Sequence, residues 1–281
     1  MMTPLDALSA ATPATAVRDA EPILVFQHVS LGFDGKLILN DINFTMEHGE
    51  TRILLGPAGC GKSLLLKLAN GLLTPDSGTV RLFGKDLRSV LRDDLYSLRA
   101  NTGMVFQEGA LFDSLSVREN VAYRLREENR DEELIEAKVR EVLQFVELEH
   151  AIDLLPSQIS GGMRRRVAIA RAIITQPALL LYDSPTGGLD PITSTTIIDL
   201  IVKERDVFGG TSLLVTHRLQ DAFTLATHAF NAATQQMERI PNRGLAPNTK
   251  FLVLNNTQIV FDGGLEDLLR STDPFLQAFL A

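Results

Sequence analysis

A glycine-rich stretch, GPAGCGKS at residues 56–63, has the residue types and spacing needed to hold a polyphosphate. Its glycines let successive backbone N–H groups turn inward, and the helix predicted to follow adds its positive end. Lys62 would contact the terminal phosphates and Ser63 a magnesium ion. The alternative is an ordinary glycine-rich turn, but such a turn rarely lies between a buried strand and a helix. The stretch therefore predicts a nucleotide site.

A carboxylate ends the apolar run LLLYD at 179–183, and the hydroxyl of Ser184 follows it at once. Besides its glycine-rich phosphate-binding loop (P-loop), such a nucleotide site needs an acidic group at the end of a neighbouring strand, where the carboxylate holds hydrated magnesium through water. The four apolar residues before Asp183 favour this role over the alternative of a helix cap or turn. We therefore expect Asp183 to serve the metal.

The surrounding elements must position these groups. Alternating apolar residues predict an antiparallel patch of strands in ILVFQHVSLGF, DINFTME and TVRLFG. TRILLG at 51–56 predicts a short buried strand, and a helix is predicted from Lys62 to Asn70. Later segments alternate as helix 163–174, strand 178–183, helix 191–205, strand 212–216 and a helix from Leu219. This alternation predicts a parallel sheet with helices on its faces.

A helical section interrupts that alternation. Ser116 and Glu119 predict a capping box, and apolar residues at helical spacing predict a helix over 131–147. The predicted organisation is a flexible tail at 1–20 and one domain at 21–281, with a helical subdomain at about 108–162 and an inserted polar loop at about 231–250.

The bulk composition narrows the class of protein. A net charge of −8 argues against broad electrostatic attachment to nucleic acid or to anionic lipid. The basic cluster at 164–166 is better explained as a solvated or paired helix surface than as a nucleic-acid patch. One cysteine, Cys60, fits a reducing compartment, and no apolar run approaches the roughly 18 residues of a membrane span. We expect a cytosolic protein that reaches a membrane only through a protein partner.

Further motifs follow in a fixed order: Gln107 after GMVF, ISGGM at 159–163, GLD at 188–190 and His217 after SLLVT. With GPAGCGKS and LLLYD, this set resembles the ATP-binding cassette (ABC) ATPases from about residue 21 to the C-terminus. The resemblance implies an α/β P-loop NTPase of the RecA-like type, with a parallel-sheet core, an N-terminal antiparallel β subdomain and an inserted α-helical subdomain. It also implies hydrolysis of ATP to ADP and phosphate with Mg²⁺.

The resemblance assigns a role to each motif. Phe33 would stack on adenine, although a ring considered alone is more often part of a core. Gln107 would touch magnesium and the attacking water, and His217 would contact the γ-phosphate. The implied nucleotide contacts within one chain are Phe33, Gly56, Pro57, Ala58, Gly59, Cys60, Gly61, Lys62, Ser63 and Leu64. The implied metal ligands are Ser63, Gln107 and Asp183, and the catalytic set is Lys62, Gln107, Ser184 and His217.

A second nucleotide-binding element begins at Ser160, Gly161 and Gly162, where free N–H groups and the helix dipole favour anions. In the family this signature faces the γ-phosphate held by the other subunit. Asp190 would lie across the same interface, and a role as a helix cap is compatible with that. One P-loop and one signature per chain imply a homodimer.

Ser184 departs from the family pattern, because most members carry glutamate after the magnesium aspartate. A hydroxyl cannot accept the proton of the attacking water at physiological pH, although it can orient that water. We expect ATP binding to persist and hydrolysis to be slow, with His217 compensating. The alternative is a nucleotide-gated, nearly non-hydrolysing structural or regulatory subunit. A third alternative is a cassette protein that acts on nucleic acid or ribosomes. Such a protein would usually carry two cassettes and a basic surface, and this sequence shows neither.

Three segments, at 104–127, 159–173 and 271–280, resemble the ATPases of bacterial lipid transporters of the maintenance-of-lipid-asymmetry type, which work with Mce proteins. This resemblance implies membrane-embedded permease subunits that grip the chain near its helical section. It also implies lipid as the transported substrate and a position on the cytosolic face of the bacterial inner membrane. The polar loop at 231–250 and Ser184 depart from the better-known members.

Overall fold

The computed structural model describes residues 21–241 and 244–281, so the predicted tail at 1–20 lies outside the described residues. The chain begins with an antiparallel sheet. Its strands are β1 (Leu24–Phe33), β2 (Lys36–Met46), β4 (Ser77–Leu82) and β5 (Lys85–Asp86), in the order β2-β1-β4-β5. Buried apolar residues alternate with exposed polar residues in the second half of β2, as expected of a sheet with one covered face.

The central sheet has six strands. They are β3 (Thr51–Leu55), β6 (Thr102–Val105), β7 (Leu179–Asp183), β8 (Thr211–Val215), β11 (Thr249–Asn255) and β12 (Gln258–Gly263). Their order is β12-β11-β3-β8-β7-β6, and all neighbours except β12 and β11 are parallel. Every residue of β3, β7 and β8 is buried, because helices or the other sheet cover both faces.

Helices connect the strands and cover the central sheet. They are α1 (Lys62–Ala69), α2 (Arg92–Ala100), α3 (Val117–Glu127), α4 (Glu132–Phe145), α5 (Gly161–Ile173), α6 (Pro191–Phe208), α7 (Leu219–Thr227), α8 (Leu265–Leu269) and α9 (Pro274–Leu280). Successive residues of β3 point to opposite faces, so Leu54 packs with α1 and the antiparallel sheet while Ile53 and Leu55 pack with α3 to α7. This arrangement confirms the predicted fold class.

The predicted helical section contains α3 and α4. The Ser116 hydroxyl accepts a hydrogen bond from the Glu119 N–H at 3.2 Å, and the Glu119 carboxylate accepts from the Ser116 N–H at 2.7 Å. The predicted capping box is therefore formed. Asp131 caps α4 by accepting from the N–H groups of Glu133 and Leu134. Each cap fixes where its helix starts.

The structure differs from the sequence prediction at the polar segment 231–250. A hairpin of β9 (His228–Asn231) and β10 (Gln236–Arg239) occupies part of it, with Phe230 opposite Met237. These two side chains are half-buried, and the remaining hairpin side chains are mostly exposed. The Phe230 N–H donates to the Asp206 carboxylate at 2.7 Å and the Arg205 guanidinium donates to the His228 carbonyl at 2.8 Å, so hydrogen bonds hold the hairpin against the domain, whereas the polar composition predicted an inserted surface loop. Among the described helices, none combines the length and the apolar character that a membrane crossing requires.

Candidate functional site

A cleft of about 480 Å³ lies at the carboxyl ends of the parallel strands. Its lining residues are Ile38, Ala58, Gly59, Gly61, Lys62, Ser63, Leu64, Gln107, Ser184, Val215 and His217. Ligands of open α/β sheets bind at this edge, because the loops that follow the strands converge there. The structure thus brings together the phosphate loop and all four predicted catalytic residues.

A second cleft of about 490 Å³ lies between the end of α4, α6 and the β9–β10 hairpin. It holds Lys203, whose ammonium lies 4.5 Å from the centre of the Phe145 ring. The described residues that line it include no glycine, so it offers no loop of exposed N–H groups to a phosphate. Volume alone therefore does not identify the nucleotide site, and the chemistry of the lining favours the first cleft.

The phosphate loop joins β3 to α1 and requires glycine at its two ends. Gly56 has φ 150°, and a Cβ there would lie 2.3 Å from the Leu254 carbonyl oxygen. Gly61 caps α1 with φ 105°, and a Cβ there would press on Leu39 and Ile38 at 3.0 and 3.1 Å. Any other residue at either position would push the loop off the sheet, so these glycines set its curvature.

Lys62 folds back across the inside of the loop. Its ammonium donates hydrogen bonds to the carbonyl oxygens of Gly56 at 2.8 Å and Pro57 at 2.7 Å, and the Cys60 sulfur lies 3.7 Å away. The side chain is 8% exposed, and its hydrogen-bond acceptors are neutral. A buried ammonium with only neutral partners keeps its charge available for an anion. This loop therefore presents a positive charge at the centre of its own curve.

Ser63 and Asp183 meet although their strands are not neighbours. The Ser63 hydroxyl donates to the Asp183 carboxylate at 2.8 Å. The prediction that the carboxylate would end a strand neighbouring the phosphate loop is wrong, because β8 lies between β3 and β7. The start of α1 bridges the gap. A hydroxyl and a carboxylate at this separation are hard oxygen ligands, and no described lysine or arginine pairs with Asp183, so the donor set fits Mg²⁺.

Gln107 and Ser184 lie beside one tight turn. The turn at 184–187 is closed by the Gly187 N–H, which donates to the Ser184 carbonyl at 2.9 Å. A Cβ at Gly187 would lie 3.1 Å from that carbonyl and 3.4 Å from the amide nitrogen of Gln107. The absence of a side chain at Gly187 therefore lets Gln107 lie against the turn. Ser184, at φ 47°, also donates its N–H to the Val215 carbonyl, which fixes it to β8.

A buried polar network supports the loops that carry Ser184 and His217. Asp221 accepts a hydrogen bond from the Thr186 hydroxyl at 2.5 Å, and the Arg218 guanidinium donates to the Ser194 hydroxyl at 2.7 Å. Arg218 and Asp221 also form an ion pair at 3.5 Å. The sequence reasoning missed these residues. The position of Asp221, one turn into a helix after a predicted site residue, was the available signal.

Eight predicted nucleotide contacts do not line the cleft, and five of them lie outside the phosphate loop. Phe33 ends β1 and is 45% exposed, and the signature residues Ser160, Gly161 and Gly162 and the aspartate Asp190 lie at the starts of α5 and α6. The two helix starts touch, since a Cβ at Gly162 would lie 2.4 Å from the Thr193 side chain. Gly56, Pro57 and Cys60 belong to the phosphate loop but do not line the cleft either.

Asp190 and Ser160 act as helix caps. The Asp190 carboxylate accepts from the Thr193 hydroxyl and from the N–H groups of Ile192 and Thr193, and these bonds lower its pKa. The Ser160 hydroxyl accepts from the Met163 N–H at 3.2 Å. The helix-cap alternative for Asp190 is therefore realised, and it is compatible with a further contact to another chain.

The expectation of a solvated or paired helix surface at 164–166 is wrong for Arg165, which is 5% exposed and lies inside the domain. Its guanidinium donates to the carbonyl oxygens of Phe106 at 2.9 Å and Gly187 at 3.1 Å. Arg164 and Arg166 donate to the carbonyls of Ile159 and Val146. Three consecutive residues of a helix point in three directions about 100° apart, so one of the three faces the interior.

Comparisons with known proteins agree with this geometry. The family profile described as ABC transporter matches residues 39–187. The intermembrane phospholipid transport system ATP-binding protein MlaF of Escherichia coli K12 is 34% identical over 90% of this chain and 86% of its own length. The chloroplast protein TRIGALACTOSYLDIACYLGLYCEROL 3 of Arabidopsis thaliana is 36% identical over 93% of this chain and 74% of its own. The methionine import ATP-binding protein MetN of Legionella pneumophila strain Lens is 43% identical over 66% of this chain and 55% of its own.

Two solved structures share the fold over most of both chains. One is the dimeric post-hydrolysis state of the ATP-binding cassette MJ0796 bound to ADP and Pi, with a TM-score of 0.71 and 26% identity over 86% of this chain and 98% of that chain. The other is cbiO1 of Clostridium perfringens, part of the ABC transporter complex cbiONQ, with a TM-score of 0.72 and 27% identity over 89% of this chain and 91% of that chain. The chain therefore belongs to the ABC transporter family, as an ATP-binding subunit whose ATPase activity is coupled to transport.

Proposed function

We propose that this chain drives a bacterial lipid transporter and that it hydrolyses ATP slowly. The likeness to MlaF, whose name states phospholipid transport, spans 90% of the chain, whereas the likeness to MetN spans 66%. ATP-binding proteins share their nucleotide site whatever they transport, so a match that extends beyond that site says more about cargo. The extent of the MlaF match is the observation that favours lipid over a small molecule such as methionine.

Different residues bind the phosphates, the metal ion and the adenine of ATP. The N–H groups of the loop at 56–63 and the Lys62 ammonium hold the phosphates of ATP. Ser63 and Asp183, with Gln107 beside them, would hold Mg²⁺, which neutralises charge on phosphate oxygens when it is bound. Phe33 stays a proposed adenine contact at the end of β1. Each of these groups acts through charge or position, and none of them needs Ser184.

Ser184, Gln107 and His217, which line the same cleft, orient the attacking water. Ser184 donates and accepts hydrogen bonds but stays neutral, so it does not take the proton. A general base is typically worth about 10²- to 10⁴-fold in rate, and this chain lacks the carboxylate that would supply it. His217 compensates in part by positioning the water. Turnover is therefore slow, and ATP binding is unaffected.

The active form is a homodimer in which each chain completes the other's site. Ser160, Gly161, Gly162 and Asp190 lie at two touching helix starts that do not line the chain's own cleft. A helix start favours an anion, so these residues serve the γ-phosphate held by the second copy. The dimeric state of MJ0796, a cassette of the same fold, supports this arrangement.

The dimer lies on the cytosolic face of the bacterial inner membrane, bound to membrane-embedded permease subunits near the helical section. The lipid contacts the permease and reaches this chain only indirectly. A second candidate is a nucleotide-gated subunit of the same assembly that barely hydrolyses ATP, and the specific observation behind it is Ser184.

Purification of the chain with its membrane partners tests the proposal. We expect the permease subunits and phospholipid to copurify, ATP with Mg²⁺ to produce the dimer by light scattering, and the reconstituted assembly to move labelled phospholipid between vesicles with slow ATP turnover. Transport of methionine but not of phospholipid would overturn the assignment of lipid as the transported substrate. ATP-dependent dimerisation without measurable turnover, even in the assembly, would favour the second candidate.

A further inference from the structure

Among the described residues, Arg165 is a buried cation whose guanidinium forms no ion pair, although the more distant Glu108 carboxylate favours its charged form. Its guanidinium donates only to two backbone carbonyls, and burial lowers its pKa. Removing a guanidinium from water costs free energy that neutral acceptors only partly return. An uncharged side chain would fill the same space at lower cost. The position of Arg165 therefore calls for a role that needs two donors in a fixed plane.

The two carbonyls belong to the two loops that carry the water-orienting groups. Phe106 directly precedes Gln107, and its carbonyl oxygen lies 2.9 Å from one guanidinium nitrogen. Gly187 closes the turn that begins at Ser184, and its carbonyl oxygen lies 3.1 Å from the other. The planar fork of arginine holds the loops at a set separation, which a single-point donor cannot do. Gln107 lies against the same turn.

Arg165 is also rigidly joined to the signature. It follows Gly161 by four residues on α5, so the two residues lie on one face of the helix. The loop after Ser184 meets this helix a second time, because α6 begins at its far end and Thr193 packs on Gly162. The loop is therefore fixed to α5 at both ends, by Arg165 and by Gly162. A displacement of the helix start moves Ser184 and Gln107 with it.

We propose that Arg165 is a positioning residue that aligns Gln107 and Ser184 in response to the phosphate bound by the signature of the same chain. The inference rests on the proposed function, in which that phosphate belongs to ATP held by the second copy. In each chain, the phosphate bound at the signature then changes the alignment of Gln107 and Ser184 at the chain's own nucleotide site. Hydrolysis at the two sites of the dimer is cooperative for this reason, and Arg165 links them.

Replacement of Arg165 by methionine tests the role, since methionine keeps much of the apolar volume and removes both donors. Mutations in coupling networks change coupled steps by about 3- to 30-fold. We expect kcat to fall by that factor and the Hill coefficient for ATP to fall to about 1. The affinity for a fluorescent ATP analogue and the ATP-dependent dimerisation should stay within about twofold of wild type, because no ligand contact is lost.

Two variants sharpen the test. Arg166→Met removes a guanidinium that also donates to a carbonyl, that of Val146, but touches neither loop, so it should keep the wild-type Hill coefficient. Arg165→Lys keeps the buried charge with one point donor, so it should fall between wild type and Arg165→Met. If Arg165→Met does not fold, the lysine variant carries the test. In a Gln107→Ala background, Arg165→Met should lose most of its effect on kcat.

The outcomes separate the two proposals. A wild-type chain that neither binds ATP nor dimerises would refute the proposed function. A wild type that does both would leave the proposed function standing. In that case the role of Arg165 is overturned if Arg165→Met keeps the wild-type kcat and Hill coefficient, if Arg166→Met shows an equal loss, or if the effect of Arg165→Met is unchanged without Gln107.

Discussion

Two loops at the same edge of the central sheet differ in how completely they keep the pattern of the family. The loop at 56–63, after β3, has every residue that the phosphate-binding pattern requires. The loop at 183–190, after β7, keeps Asp183 and Asp190 but has Ser184 where most members carry glutamate. In the proposed function, the first loop holds the nucleotide and the second acts on the water that attacks it.

The difference implies that, in the proposed function, binding and hydrolysis depend on separate parts of the fold. Phosphate binding sums many contributions, from N–H groups, the Lys62 charge and the start of α1, so it tolerates change in the other loop. Proton removal depends on a single side chain, so one substitution weakens it alone. Among the hydrogen bonds of the described residues, the one from the Ser63 hydroxyl to Asp183 joins the two loops.

The largest effect should follow from restoring the base in the second loop. Ser184→Glu should raise kcat by roughly 10²- to 10⁴-fold, because a carboxylate can accept the proton. The ATP affinity should not change. Steady-state turnover and the binding of a fluorescent ATP analogue measure both quantities. Ser184→Gln, which is equal in size to glutamate but neutral, serves as the control. A glutamate variant no faster than the glutamine variant would contradict the role given to this position.

Removing the charge from the first loop should weaken binding instead. Lys62→Ala should lower the ATP affinity by roughly 10- to 10²-fold, since a charge-assisted hydrogen bond contributes about 1.5–3 kcal/mol. Equilibrium titration of the purified variant measures the loss. Lys67→Ala, at the other end of α1, should bind like wild type. An affinity that survives in Lys62→Ala would show that the loop does not hold the phosphates.

His217 should matter most while the base is missing. His217→Ala should lower kcat by about 10-fold in the wild-type background, because it positions water without taking the proton. In a Ser184→Glu background the same change should cost less. The ratio of turnover rates in the two backgrounds measures the compensation. His150→Ala, in the helical section, is the matched control, and equal losses in the two backgrounds would exclude compensation.

The smallest effect concerns the strand beneath the second loop. Glu204 is buried and accepts a hydrogen bond from Tyr182, the residue before Asp183, and burial raises the pKa of Glu204 to about 8. Between its ordinary value of 4.5 and about 8, the folded chain holds a proton that the unfolded chain has lost. The free energy of unfolding should therefore fall as pH rises through that window, by up to about 1.4 kcal/mol per pH unit.

Glu204→Gln should remove this pH dependence while leaving the ATP affinity unchanged. Urea unfolding at pH 6 and pH 8 measures the slope, and Glu238→Gln, on the exposed hairpin, should keep the wild-type slope. An identical slope in wild type and Glu204→Gln would mean that Glu204 does not hold the proton.

The parts of the fold set by local sequence were predictable. The buried runs of β3 and β7, the capping box at Ser116 and the glycine-rich loop each depend on neighbouring residues. The parts set by distant contacts were not. Residue spacing does not give the order of strands in a sheet, so the position of β8 between β3 and β7 was missed. Residue spacing also does not show which of the three consecutive arginines at 164–166 faces the interior.

The site residues divide in the same way. The four predicted catalytic residues meet in one cleft because Lys62 begins the helix after β3, while Gln107, Ser184 and His217 lie within two residues of the ends of β6, β7 and β8. The support around them, such as the contact of Asp221 with Thr186, joins residues far apart in the chain. No sequence motif marks such a pair.

The place of β6 in the sheet has a mechanical consequence. This strand is four residues long and, among the described strands, pairs on one side only, with β7, whereas β3 is held between β11 and β8. A short outer strand yields to a pull more readily than an inner one. Gln107 follows this more easily displaced outer strand, whereas Lys62 follows the more rigid inner strand β3. A displacement of the helical section would thus move Gln107 toward or away from the bound triphosphate, while the triphosphate keeps its position.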